Sequence, residues 1–181
     1  MSRVRELAGN LAAVEERVAA ACQAAGRARE EVLLVAVSKT WPAEDVAALR
    51  DLGIRDFGEN RDQEAARKAA EVDGVRWHFV GAVQTNKARS VASYAHVVHS
   101  VDRTALVDAL AAGARRSGRT VEVLIQVSLD GDRARGGALP EDVRDLADAA
   151  AAADGLRLAG VMAVAPLATD PAAAFARLAA V

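Results

Sequence analysis

Apolar and polar positions alternate along this chain in two rhythms. Val4, Leu7, Leu11, Val14 and Val18 recur at spacings of three and four, which predicts an amphipathic helix over residues 2–25. Gly26 follows as its C-terminal cap, and the helix is expected to pack on the domain surface. From Val32 the rhythm changes. Val32–Val37 is an unbroken apolar run, the pattern of a strand buried on both faces. Pro42 then opens a helix through about Asp51. Further strands are predicted at Ile54–Gly58, Trp77–Gly81, Val97–Val101, Val121–Leu129 and Leu156–Ala165. Helices are predicted at Arg61–Glu71, Thr85–Ser93, Arg103–Ser117, Pro140–Ala152 and from Asp170–Pro171 to the end.

Six strand–helix units in succession imply an α/β fold with a parallel sheet and helices outside it. A doubly wound open sheet and a (β/α)8 TIM-type barrel both satisfy that pattern. A barrel of this type usually takes about 250 residues. The 181 residues here read as one domain, residues 1–181, holding about six βα units of a barrel, with the last two strand units expected to be missing.

Composition narrows the function. The apolar share is 52% and the charged share 27%, ordinary for a globular protein. Aromatic residues make up 3%, so the core must be built from Ala, Val and Leu. A net charge of −2 with scattered arginines gives no basic stripe for nucleic acid. No apolar run is long enough to span a bilayer, and the charged start Met1–Glu6 has no signal region. The single cysteine, Cys22, excludes an internal disulfide. A cytoplasmic location is expected. Only Lys39, Lys68 and Lys87 are lysines, so each raises the question of what an amine does there that arginine cannot.

Candidate chemistry gathers at strand ends, where parallel βα folds build their sites. Ser38-Lys39-Thr40 sits where the first strand runs out, with Lys39 on the side of Leu33, Val35 and Val37. In a barrel interior that lysine would be desolvated and its amine pKa would fall, favouring the neutral nucleophile needed for a Schiff base. A lysine with a packed stem and a solvated head is the plainer reading. Phe57-Gly58-Glu59-Asn60 ends the second strand, where Asn60 either meets a flat polar ligand or caps the next helix. His78, inside the third strand, reads as a hydrogen-bonded core histidine, and a metal site from His78, His96 and His99 has no supporting spacing. Gln84 and Asn86 lie in the loop that follows. After the fifth strand, Arg135 could place positive charge beside a ligand and Gly136-Gly137 could cradle an anion, in what otherwise reads as a flexible surface loop.

Val37-Ser38-Lys39-Thr40, Phe57-Gly58-Glu59-Asn60, Trp77–Gly81 with Gln84–Lys87, and Gly160-Val161-Met162, in this order, resemble the pyridoxal phosphate homeostasis protein family. The likeness runs from about Val32 to about Pro166. It implies a barrel like the N-terminal domain of alanine racemase, without that enzyme's second domain. It implies pyridoxal 5′-phosphate (PLP) as cofactor, held as a Schiff base on Lys39, with Asn60 near the cofactor and Met162 beside its ring. It further implies a monomer that buffers or delivers PLP, with PLP-dependent apoenzymes as partners, and no turnover of its own. Two positions depart from the pattern. Arg135 stands where the family has lysine, and arginine cannot form an imine near neutral pH. Ser128 stands where the family has asparagine. The family's phosphate-holding segments lie beyond Val181, so the alternatives are a racemase-type enzyme or a chain whose site does not work.

Overall fold

The computed structural model describes residues 2–167 and 169–181, the side chain of Arg133 excepted. Six strands, β1 Ala36–Val37, β2 Asp56–Glu59, β3 Arg76–Phe79, β4 Val97–Val101, β5 Val121–Gln126 and β6 Leu156–Met162, form one sheet in the order 1-2-3-4-5-6. Every pairing is parallel. A doubly wound sheet must reverse its strand order at a switch point, whereas sequential order is that of a barrel wall. The barrel arrangement expected from the sequence is the one the topology shows.

The helices are α1 Arg3–Ala24, α2 Ala43–Asp51, α3 Asp62–Glu71, α4 Ala88–Tyr94, α5 Thr104–Arg116, α6 Val143–Ala152 and α7 Pro171–Ala179. Short 3-10 turns at Thr85–Lys87 and Pro140–Asp142 lead into α4 and α6, where the sequence pattern had implied single helices. Gly26 closes α1 at φ 63°, with Arg27 N–H donating to the Cys22 carbonyl, as expected of a glycine cap.

The two faces of the sheet differ. In β5, Val121, Val123 and Ile125 are buried and join Leu106, Leu110, Val143 and Leu146 of the helices in the main core. Glu122, Leu124 and Gln126, on the other face, are only partly covered. This second face is the barrel lumen. It is polar towards its base: Asp56, His78 and His99 form a hydrogen-bonded chain there, and Arg76 and Arg157 both pair with Glu122.

β1 is shorter than expected. The register sets Ala36 opposite Phe57 and Val37 opposite Gly58, so residues before Val35 reach back past the start of β2 and find no ladder partner. β1 is also an edge strand, and its apolar run is not buried on both faces: Leu33 is 59% and Val37 48% exposed. β5 and β6 stop three residues before the apolar runs do, because the chain there turns into the loops over the rim.

Candidate functional site

The C-terminal ends of the strands form a rim, and the turn after β1 is its most constrained part. Trp41 N–H donates to the Ser38 carbonyl, closing a four-residue turn around Lys39 and Thr40. Thr40 has φ 69°, the only non-glycine positive φ among the described residues. A β-branched side chain in that region is a genuine outlier, and such strain persists only where the surroundings impose it.

The surroundings are an ion cluster behind the sheet. Lys68, 1% exposed, comes from α3 on the same face as Ala65. Its Nζ donates to Ser38 O at 2.8 Å, to Glu59 Oε1 at 2.6 Å and to Glu64 Oε1 at 2.8 Å. Ser38 Oγ donates to the same Glu59 oxygen at 2.8 Å, and Thr40 N–H donates to Glu64 Oε1 at 2.8 Å. The Lys68 ammonium, hydrogen-bonded to Glu64, holds that carboxyl below its ordinary pKa range, with the Thr40 amide adding to the effect. On the outer side, Arg3 of α1 binds Asp45 and lies 4.6 Å over the Trp41 ring, which ties the N-terminal helix to the same turn.

Lys39 itself is exposed. It is not buried in a barrel interior, which was the condition for a desolvated amine. Ser38 N–H donates to the Gly58 carbonyl as the last ladder bond between β1 and β2, and Lys39 and Asn60 follow at the ends of these neighbouring strands. Gly58 leaves little room beside Val37 and Val35; a Cβ there would sit 3.0 Å from Val37 Cγ2.

Asn60 does not cap α3. Arg61 occupies the cap position, without a side-chain cap bond, and Asn60 Oδ1 is buried with no hydrogen-bond partner. An unpaired buried carbonyl oxygen of this kind costs about 1–3 kcal/mol and marks a place where a donor is expected. Its backbone is wedged against Gly81, where a Cβ would lie 2.8 Å from Asn60 Cα and closer still to Asn60 O. Ser100 Oγ holds the Gly81 carbonyl at 2.6 Å, so β2, β3 and β4 together fix Asn60.

At the other edge, Met162 pairs with Gln126 in register and shares its lumen face, half-buried. Arg135 is committed elsewhere than expected. Its guanidinium pairs with Asp130 and donates to Val164 O at 3.2 Å and Ala165 O at 3.0 Å, tying the loop after β5 to the segment after β6. Its charge is thus largely matched by Asp130. Gly136 and Gly137 have positive φ, but the Asp102 carboxylate faces them and Gly137 N–H donates to it at 3.4 Å, which disfavours an anion there. Gly137 instead allows close approach to Ser128 N, which a Cβ would crowd at 2.7 Å.

His78 is the hydrogen-bonded interior histidine the sequence suggested: 4% exposed, with Nε2 2.8 Å from Asp56 Oδ1 and Nδ1 2.8 Å from His99 Nε2. His96 stands apart, accepting from Trp77 N–H, and no metal-binding group of three is present among the described residues. Burial, with the neighbouring His78 adding to it, pushes His99 down to about 4. The native state therefore keeps His99 neutral where the unfolded chain, titrating near 6.5, takes up a proton. This contribution to stability is complete above about pH 6.5 and is lost as the pH falls towards 4. Allowing for solvent screening at a half-buried ring, the loss is on the order of 2 kcal/mol. His99→Gln should flatten that acid limb in thermal melts between pH 7 and 4.

What sequence reasoning missed is the Glu59–Glu64–Lys68 cluster. Its signals were present: a rare lysine, and a Glu64–Lys68 spacing of four on a helix, which is normally read as a surface pair.

A sequential parallel barrel wall, with a lysine on a fixed turn at the end of β1, defines a racemase-type barrel. A family model for the N-terminal domain of alanine racemase matches residues 9–181. The chain belongs to the pyridoxal phosphate homeostasis protein family. It is 44% identical over 197 residues to the pyridoxal phosphate homeostasis protein of Mycobacterium bovis, covering 97% of this chain and 76% of that one. PipY of Synechococcus elongatus PCC7942, solved with PLP bound, superposes with a TM-score of 0.78 at 34% identity, covering 92% of this chain and 79% of PipY. A protein from Bifidobacterium adolescentis superposes with a TM-score of 0.87 at 29% identity, over 98% of this chain and 78% of that one. The fold is thus the alanine racemase-like TIM-type barrel. No helix among the described residues is long and apolar enough to cross a membrane.

Proposed function

We propose that this chain binds PLP covalently through Lys39 and acts in PLP homeostasis as a carrier or buffer rather than as an enzyme. The observation that carries the reading is the pairing of an exposed lysine on an immobilised turn with the orphaned Asn60 Oδ1 on the next strand. The relatives' names and the PLP bound in PipY support it. When bound, PLP supplies an aldehyde that condenses with a primary amine and releases water.

The chain's own residues do the rest. Lys39 provides the amine, and its exposure leaves it accessible to the aldehyde. Asn60 accepts a hydrogen bond at Oδ1, relieving the unpaired oxygen, and Gly81 and Ser100 keep it from turning away. Met162 lines the far side of the lumen with a soft apolar surface. Arg135, bound to Asp130, braces the rim and adds positive charge only weakly.

A racemase needs acid and base groups on opposite faces of the substrate carbon. Lys39 is a candidate for one face only, so the carrier reading is the better one. We extend the proposal to residues 1–181 acting as one PLP-binding unit, monomeric and cytoplasmic, that hands PLP to PLP-dependent apoenzymes without nucleic-acid or membrane partners. The net charge of −2 and the absence of a basic stripe accord with this.

The test is a spectrophotometric titration of the chain with PLP. Saturation of a visible band near one equivalent is expected. A weak, unsaturating band, like that of PLP with free lysine, would contradict the reading.

A further inference from the structure

We propose that Glu64 and Lys68 are positioning residues, and that the buried cluster they form with Glu59 holds the Lys39 turn in the conformation that reacts with an aldehyde. This rests on the reading of Lys39 as the PLP-binding amine.

The bonds of the cluster fall on both sides of Lys39 and not on Lys39 itself. Ser38 is held twice, by its carbonyl to Lys68 Nζ and by its hydroxyl to Glu59 Oε1. Thr40 is held by its amide to Glu64 Oε1, and it is the residue at φ 69°. A threonine does not stay in that region unless neighbours fix it. Glu64 meets both Thr40 N–H and Lys68, so one carboxylate oxygen joins the strained residue to the buried ammonium.

Stability alone does not account for this arrangement. Apolar residues of similar volume generally replace a buried ion pair with no loss, and often with a gain. The cluster also leaves Glu59 Oε2 without a partner, although Glu59 is fully buried. A group of charges kept behind a sheet at that cost, with all its backbone contacts flanking one exposed amine, has the form of a clamp. Fixing a nucleophile's direction matters greatly for its rate, since a displacement of about 1 Å can slow a reaction by about 100-fold.

Glu64→Ala removes the link from the partly exposed end of the cluster, and Glu64→Gln restores an acceptor oxygen. With PLP as the probe, the rate of band formation would be followed, the adduct located by borohydride reduction and mass spectrometry, and Thr40 amide exchange measured in the PLP-free chain. In the wild type the Thr40 amide should be protected. In Glu64→Ala it should exchange freely, and labelling of Lys39 should slow by about 10-fold or more, with a melting temperature shifted by only a few degrees. Glu64→Gln should return the rate to within about twofold of wild type if an acceptor at this point is what orients the turn.

Wild-type labelling rates in Glu64→Ala, an equal loss in Glu64→Gln, or free exchange of Thr40 in the wild type would each overturn the clamp. If Glu64→Ala does not fold, the glutamine variant and the wild-type exchange rate still decide. Failure of the wild type to label Lys39 at all would instead overturn the PLP reading, and the positioning role with it.

Discussion

Lys39→Ala is expected to abolish the covalent capture of PLP while leaving the fold intact. The chain has two other lysines. Lys68 is 1% exposed and donates to three acceptors, so its amine is neither free nor reachable. Lys87 sits in the 3-10 turn before α4 and lines a cavity with Asn60, Arg61 and Gln84, so it is the competing amine that the Lys39→Ala variant tests. A positioned amine gains several orders of magnitude in effective molarity over a free one, so apparent affinity should fall by at least about 100-fold. The side chain is exposed, and a surface substitution of this kind changes stability by only about 0.5 kcal/mol. Visible titration and a thermal melt of the same sample check both halves. Unchanged titration would remove Lys39 from the site. Loss of titration together with a collapsed melt would mean that Lys39 acts through the fold.

Lys68→Met is expected to cost about 3–5 kcal/mol, the range for removing one partner of a buried pair. Methionine matches the lysine stem in volume, so packing changes little. The cost comes from Glu59, at 0% exposure, left with Glu64 and no counter-ion, and from the Ser38 carbonyl, which keeps only the Trp41 amide as donor. Urea unfolding measures it directly. The double variant Lys68→Met with Glu59→Leu should recover most of the loss, because an apolar pair replaces the ionic one. A single-variant loss under about 1 kcal/mol would show that water reaches the cluster and that it is not a buried pair.

Much of this architecture could be read along the chain. β4 lies at Val97–Val101 as its apolar run indicates, and α3, α5 and α6 fall within a few residues of their patterns. Lys39 and Asn60 stand out at the ends of the first two strand patterns, and Met162 by the family resemblance alone. What the sequence could not carry is register and neighbourhood. Asp56 meets His78, and His78 meets His99, only because three strands pair as they do. The run Val32–Val37 has the composition of a central strand, yet most of it has no strand to pair with. The α3 sequence has alanine as its only apolar residue type, so its pattern does not announce that Lys68 points inward with Ala65. Arg135 has the charge of a ligand-binding group, but Asp130, five residues before it, takes that charge.

The central claim is that Lys39 is the amine that holds PLP. The chain would be incubated with one equivalent of PLP, reduced with borohydride, digested and mapped by mass spectrometry. A single label on Lys39 is expected, with Lys68, Lys87 and the N-terminal amine unmodified. A label absent from Lys39, or spread equally over the available amines, would contradict it.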